Sequence, residues 1–268
     1  MGEPDIAAPV FGSADDSQKV RPPMASISRW AHAHELIARQ GSQLDRPGNV
    51  ADALRRICGA TATALTASGV GVSVVTSDGD WGFAIASNPA CQVLEELQFT
   101  LGEGPCVDAL ATGRPVLVAD VADDVAGRWP IYRSAVREKG VRSVFAFPLL
   151  AGSASVGVLD VFRGRAGAMN EEEVAQSLTF ADIARTAILD GQHEAPVDEV
   201  PDGFDESPGY RAEVFQAQGM VMVQLGVTLA EALLRLRAHA YANDRTLADV
   251  ARDVVGRALR FDRERRLP

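Results

Sequence analysis

The stretch LGEGPCVDAL (101–110) places Cys106 directly after Pro105, in a glycine-rich turn and at the head of a helical run. A helix N-terminus lowers a thiol pKa and favours the thiolate, the form that reacts with oxidants. Two chemistries are open for Cys106: a redox switch, or a buried and inert side chain. In ASVGVLDVFR (154–163) a single acid, Asp160, interrupts an apolar strand and shares a face with Val156, Val158 and Phe162. Inside a core such an acid requires a partner or a ligand; on a solvated sheet face it requires neither. Trp81, Trp129 and Phe83 are suited either to lining a pocket or to filling a core.

Catalytic constellations are missing from the sequence. It holds no phosphate-cradling Gly-Lys-Ser/Thr loop, no HExxH and no nucleophile elbow, and the isolated His193 and His239 assemble no triad. The three cysteines, Cys58, Cys91 and Cys106, lie far apart, without metal-ligand spacing and in an odd number that argues against a disulfide framework. Neither an enzyme nor a metal protein is therefore expected. No run of 18 apolar residues occurs, and the N-terminal text has no continuous apolar core, so neither a membrane span nor a secretory signal is read and a cytoplasmic address is expected. The net charge of −10 hides an asymmetry. From Arg211 to Pro268 there are ten arginines, no lysine and seven acids, a net +3 against −13 for the remainder. A modestly basic end on an acidic body is compatible with nucleic-acid contact there.

These residues need elements to position them. Residues 1–25 are rich in Pro, Ala, Ser and Asp and read as a disordered tail. Met24 opens a helical stretch with Ile27, Trp30, Ala31 and His34 at helical intervals; a tail before a helix and a chain starting at Met24 are both open. A helix over VADALRRICGATATAL, with Val50, Leu54, Ile57 and Cys58 inward, precedes strands at 70–77 and 81–87 joined at Asp78-Gly79, a hairpin pair. Helical text at 89–97, strands at 114–120, 143–150 and 154–163, and a helix from Asn170 to about Asp190 follow. Strands bunched in pairs between helices indicate an α+β antiparallel sheet domain over 26–190. Residues 191–206 read as an acidic linker, 207–261 as an all-α bundle and 262–268 as a basic tail.

The bundle is punctuated into three helices. The first, about 210–225, stops at Gly226. Thr228 with Glu231 opens the second, 229–242, and Thr246 with Asp249 opens the third, 247–261. Ala212, Phe215, Gly219 and Met222 share one face of the first. Leu229, Ala232, Leu233, Leu236 and Ala240 do so on the second, and Leu247, Val250, Ala251, Val254 and Ala258 on the third. Stripes that alternate large and small residues suit closely approaching helices, and Gly219 suggests a position where a Cβ would clash.

The segment QAQGMVMVQLGVTLAEALLRLRAHAYANDRTLADVA resembles the ANTAR domain, a three-helix RNA-binding module of bacterial transcription antiterminators. The pattern lies in Ala217, Gly219, Met222, Ala232, Leu236, Ala240, Leu247 and Ala251. LGEGPCVDAL, DDVAGRWPIY, GVRSVFAFPL and GVLDVF resemble segments of a GAF domain, a small-molecule-sensing relative of PAS, as found in actinobacterial GAF-ANTAR regulators. The resemblance implies a homodimer that binds RNA hairpins in nascent transcripts, under an effector of unspecified identity in the sensor. Cys106, Asp160, Trp81 and Trp129 are the sensor candidates. Arginine suits RNA because its guanidinium is always charged, grips phosphate bidentately and stacks on bases. Candidates are Arg235, Arg237, Arg245, Arg252 and Arg257, with Gln218 as a polar contact and Tyr241 or His239 as stacking groups. Asp249 and Asp253 stand at pairing distance from Arg252 and Arg257, which leaves Arg237 and above all Arg245 as the better candidates on spacing alone. Many ANTAR domains carry basic residues where Gln218 and Gln224 stand here, and glutamine releases no counterion. The terminal sensor helix and the linker are expected to carry the signal. Rival readings are a DNA-reading bundle and a dimerisation or protein-docking module.

Overall fold

The computed structural model describes residues 24–40, 49–75, 81–123, 127–194, 208–243 and 245–262. The expected tail, the Asp78-Gly79 turn, most of the linker and the last six residues lie outside them. A five-stranded antiparallel sheet has the order β2-β1-β5-β4-β3, from β1 (Gly69–Val75), β2 (Trp81–Ala86), β3 (Val116–Val118), β4 (Ser143–Ala151) and β5 (Ala154–Arg163).

Successive side chains of a strand point to opposite faces. Val70, Val72 and Val74 of β1, Phe145 and Phe147 of β4, and Leu159 and Val161 of β5 enter one core. Helices α1 (Met24–Arg39), α2 (Val50–Ala64) and α6 (Glu171–Glu194) cover it with Ala33, Leu54, Ile57, Cys58, Phe180 and Ala184. The opposite face meets α3 (Pro89–Leu101), α4 (Pro105–Thr112) and α5 (Pro130–Glu138), so the sheet is sandwiched between helical layers. The expectation contained no α5.

Asn170 caps α6 reciprocally: the Glu173 N–H donates to Asn170 Oδ1 at 2.8 Å and the Asn170 N–H donates to Glu173 Oε2 at 2.9 Å. The other Glu173 oxygen accepts from the buried Arg163 guanidinium at 2.6 Å. One carboxylate thus satisfies a helix end and a buried cation together. The helix runs on to Glu194, so the first four residues expected in the linker are helical.

The C-terminal bundle comprises α7 (Pro208–Leu225), α8 (Leu229–Ala242) and α9 (Leu247–Val255). Gly226, at φ +67°, ends α7 through its N–H to Met222 O at 2.8 Å. Thr228 and Thr246 cap the next two helices as expected, accepting from the Glu231 and Asp249 N–H groups at 3.2 and 3.1 Å. Three corrections concern the faces. On α7 the buried stripe is Val214, Ala217, Gln218 and Val221, while Ala212 is exposed and Phe215, Gly219 and Met222 are half-buried. Leu229 and Ala258 are exposed. Helix α9 stops at Val255, six residues early, because Gly256 and then Arg257, at φ +60°, turn the chain out.

Gly219 does not mark a close approach: a Cβ there would meet nothing within 4 Å among the described residues. Gly219→Ala is therefore expected to stabilise the bundle by about 0.5–1 kcal/mol, through helix propensity and a less flexible unfolded chain. Urea unfolding reads this directly, and destabilisation would show that something does occupy that space.

Candidate functional site

Where α3, α4 and α5 meet the sheet, a polar cluster is sealed inside the protein. Asn88 starts α3 by accepting from the Cys91 N–H at 2.9 Å, and Gly102, at φ +68°, ends it. Helical spacing then turns Cys91, Leu94, Glu95 and Gln98 inward. Below them β5 presents Asp160, whose cross-strand neighbours are Gly71 on β1 and Ala146 on β4. Two small residues flanking one acid leave a hollow in the sheet surface, and the Glu95 carboxyl fills it. A Cβ on Gly71 would lie 2.4 Å from Glu95 Oε1.

The contacts are specific. Ser73 Oγ donates to Glu95 Oε2 at 2.7 Å. Gln98 bridges: its Nε2 donates to Asp160 Oδ2 at 3.1 Å, and its Oε1 accepts from the Cys106 N–H at 2.9 Å. Ligand atoms of Glu95, Cys106 and Asp160 all lie within 4.8 Å of one another, and all three residues are fully buried. Burial pushes the Asp160 carboxyl up to about 6, against the pull of hydrogen bonds with Cys106, Glu95 and Gln98.

Tyr132 reaches the cluster from α5. That helix is held by Glu103 of the GEGPC turn, whose Oε1 accepts from the Ile131 and Tyr132 N–H groups at 2.8 Å each. The Tyr132 hydroxyl is buried, with no hydrogen-bond partner among the described residues. Burial and the nearby Asp160, Glu95 and Cys106 raise its pKa well above the usual tyrosine range.

Asp160 is thus a buried acid, and the solvated-face alternative falls away. Cys106 is buried among acids, which is not the exposed, cation-flanked setting that an oxidisable thiol needs, so the redox-switch alternative loses its physical basis. Burial and Glu95 likewise push the Cys58 and Cys91 thiols far up. Trp129 packs in a core with Leu94, Val118, Tyr132 and Phe162, under the Arg128 guanidinium at 4.3 Å, the core-filling alternative. The side chains of Trp81 and Phe83 lie outside the described residues. Sequence reading missed Glu95, Gln98 and Tyr132; the signal available was acid and amide at helical spacing on an otherwise apolar face.

On the bundle, Tyr241 is 72% exposed. Arg235 pairs with Glu231 at 3.1 Å, and Arg252 with Asp249 at 2.9 Å. Asp253 pairs with Arg245 at 2.8 Å, not with Arg257, so Arg245 lacks the freedom expected of it. Arg257 is exposed and makes no ion pair among the described residues. His239 packs edge-on against Phe261 at 5.4 Å. Two residues expected at the RNA surface point elsewhere. Gln218 is 3% exposed and donates to Leu229 O at 2.9 Å, where it ties α7 to the start of α8. Gln224 accepts from the Phe261 N–H at 2.8 Å and anchors the chain after α9.

Arg237 is the second. Its Nη2 donates to the carbonyl of Phe99, on α3, and its guanidinium lies over the Phe99 ring at 5.6 Å and against Gly102. Phe99 is itself a core residue of the bundle, buried beside Val214, Leu236 and Leu247 and edge-on to Phe215 at 6.0 Å. Helix α3 therefore carries the polar cluster on one side and seats the bundle on the other.

A GAF domain family model matches residues 48–189, and an ANTAR domain model matches residues 208–255. No curated protein matches the chain. Among solved structures, the chain is similar to the GAF domain of an Acinetobacter phosphoenolpyruvate-protein phosphotransferase, at 12% identity and TM-score 0.46 over 64% of this chain and 98% of that one. It is also similar to free methionine-R-sulfoxide reductase from Neisseria meningitidis in complex with its substrate, at 17% identity and TM-score 0.44 over 65% and 96%. A GAF domain from a Coxiella burnetii phosphoenolpyruvate-protein phosphotransferase matches at 15% identity and TM-score 0.44 over 64% and 96%.

Proposed function

Because the chain belongs to the GAF domain family and ends in an ANTAR domain, we propose that it is a sensor-controlled regulator whose bundle binds RNA hairpins and promotes transcription antitermination. The observation that carries this reading is the ANTAR match over 208–255, which includes the exposed Tyr241, Arg245 and Arg252, with exposed Arg257 just beyond it. An exposed ring offers a stacking platform, and guanidinium groups grip phosphate. The Arg245–Asp253 pair does not forbid this. Its side chains are 35% and 38% exposed, and a pair of that kind contributes about 0–1 kcal/mol, so a phosphate can replace the carboxylate.

Control runs through α3 in this reading. Arg237 is withheld from RNA while the Phe99 carbonyl holds it, and a change in the cluster on the other side of α3 alters that hold.

Crosslinking in the native host, followed by sequencing of bound RNA, tests the output. Wild type is expected to enrich leader hairpins. Arg245→Ala is expected to bind them about tenfold more weakly, the cost of one arginine contact. A folded, abundant wild type that recovers no RNA above background would end the RNA reading in favour of a protein-docking module.

A further inference from the structure

The buried cluster under α3 asks what its ligand is, and its donor set gives an answer. Glu95, Cys106 and Asp160 come from α3, α4 and β5, and each offers one ligand atom within 4.8 Å of the other two. A cation bonded to sulfur at about 2.3 Å and to carboxylate oxygen at about 2.0–2.2 Å holds its ligands about 3.5 Å apart, so a small closure suffices. A second observation comes from groups outside these hydrogen bonds. Asp160 Oδ1 and the Tyr132 hydroxyl are both buried with no hydrogen-bond partner among the described residues, and both belong to residues with no solvent exposure. A buried polar atom left unsatisfied costs about 1–3 kcal/mol, a cost that a bound ion and its remaining ligand would remove.

We infer that Glu95, Cys106 and Asp160 form a binding site for a divalent first-row transition-metal ion. One thiolate with two carboxylates is a mixed soft and hard set. It suits borderline ions such as Zn²⁺, Co²⁺ and Fe²⁺ and disfavours Mg²⁺ and Ca²⁺, which take oxygen alone. On binding, the thiol proton and any proton held by the two carboxyl groups leave to solvent, and the ion replaces them as the positive charge. Gly71 and Ala146 leave the space that the Glu95 carboxyl occupies beside Asp160, and Gln98 fixes the orientation of both Asp160 and the Cys106 backbone.

Co²⁺ titration of the full-length, metal-stripped protein under anaerobic conditions tests the site. One equivalent of Co²⁺ is expected to give a near-ultraviolet thiolate-to-cobalt band, and Zn²⁺ is expected to displace it and raise Tm. Cys106→Ser is expected to abolish the band while Cys58→Ser keeps it. Asp160→Asn retains shape and thiol, so it covers the case in which Cys106→Ser does not fold. Its cobalt affinity is expected to fall by more than the roughly 10–100-fold that losing an outer-shell partner costs. A folded wild type that shows no band, or a folded Cys106→Ser that retains it, overturns the site. Asp160→Asn with wild-type affinity does so equally. No RNA enters this measurement, so its failure leaves the RNA reading standing, and loss of RNA binding leaves the metal site standing.

Discussion

Phe99→Ala is expected to cost about 3–5 kcal/mol, the usual range for truncating a fully buried aromatic side chain, and to fall mainly on the bundle. The ring is completely buried, and the apolar cluster that holds it is otherwise drawn from the bundle, Val214, Leu236 and Leu247 included, with Phe215 edge-on at 6.0 Å. Truncation would leave a cavity between sensor and bundle and remove the ring beneath Arg237. Hydrogen exchange should therefore accelerate over 208–255 and stay unchanged in β4 and β5, where Phe145 and Leu159 form a separate core. Once Arg237 is released it can join the RNA surface, so hairpin affinity is expected to rise as well. Uniform exchange through both domains, or unchanged stability, would show that Phe99 does not join them.

Gly157→Ala is expected to be comparably severe for a different reason. The added methyl would lie 2.4 Å from the Ser73 backbone oxygen, with Leu149 Cδ1 behind it at 3.3 Å. A side chain could rotate away, but a carbonyl in the middle of the β1–β5 ladder cannot move without breaking its pairing. Overpacking against flexible groups costs about 1–3 kcal/mol, so a rigid obstacle puts the cost at about 3 kcal/mol or above. For a chain of this size, Tm should drop by roughly 10 °C. A drop within experimental error would mean that β1 and β5 pair in another register. The contrast with Gly219, where the same methyl meets open space, shows that helix glycines and sheet glycines answer to different constraints.

The elements were largely legible because their signals are local. Thr228, Thr246 and Asn170 cap the helices that their spacing announces, and Gly226 stops α7. Where single residues override the pattern the reading failed: Arg257, at φ +60°, turns the chain out after α9, and a proline after Trp129 starts an unannounced α5. Faces were less legible than ends. On α7 nearly every residue is apolar or small, so periodicity could not separate Val214 and Val221 from Phe215 and Met222. Partners across a turn were not legible at all. Asp253 lies four residues before Arg257, yet folding brings Arg245 to it from the preceding turn. The site suffered most from this. Asp160 and Cys106 were visible as chemistry, but 54 positions of sequence separate them, and their companions Glu95 and Tyr132 sit on other helices. The cysteine spacing that argues against metal ligation has no bearing on a thiol whose fellow donors are carboxylates.

Helix α3 presents Gln98 to the cluster and, at the next position, Phe99 to the bundle. An α-helix turns about 100° per residue, so these two assignments are a matter of phase as well as of residue type. Deleting or inserting a single residue between Glu95 and Phe99 would leave composition, charge and helix propensity nearly intact and still point the aromatic ring away from its seat. Substitutions in this segment are graded in their effects; a change of its length is all-or-none. Among natural variants, α3 should therefore vary in sequence at its exposed positions, such as Val93, while indels are confined to the loops on either side.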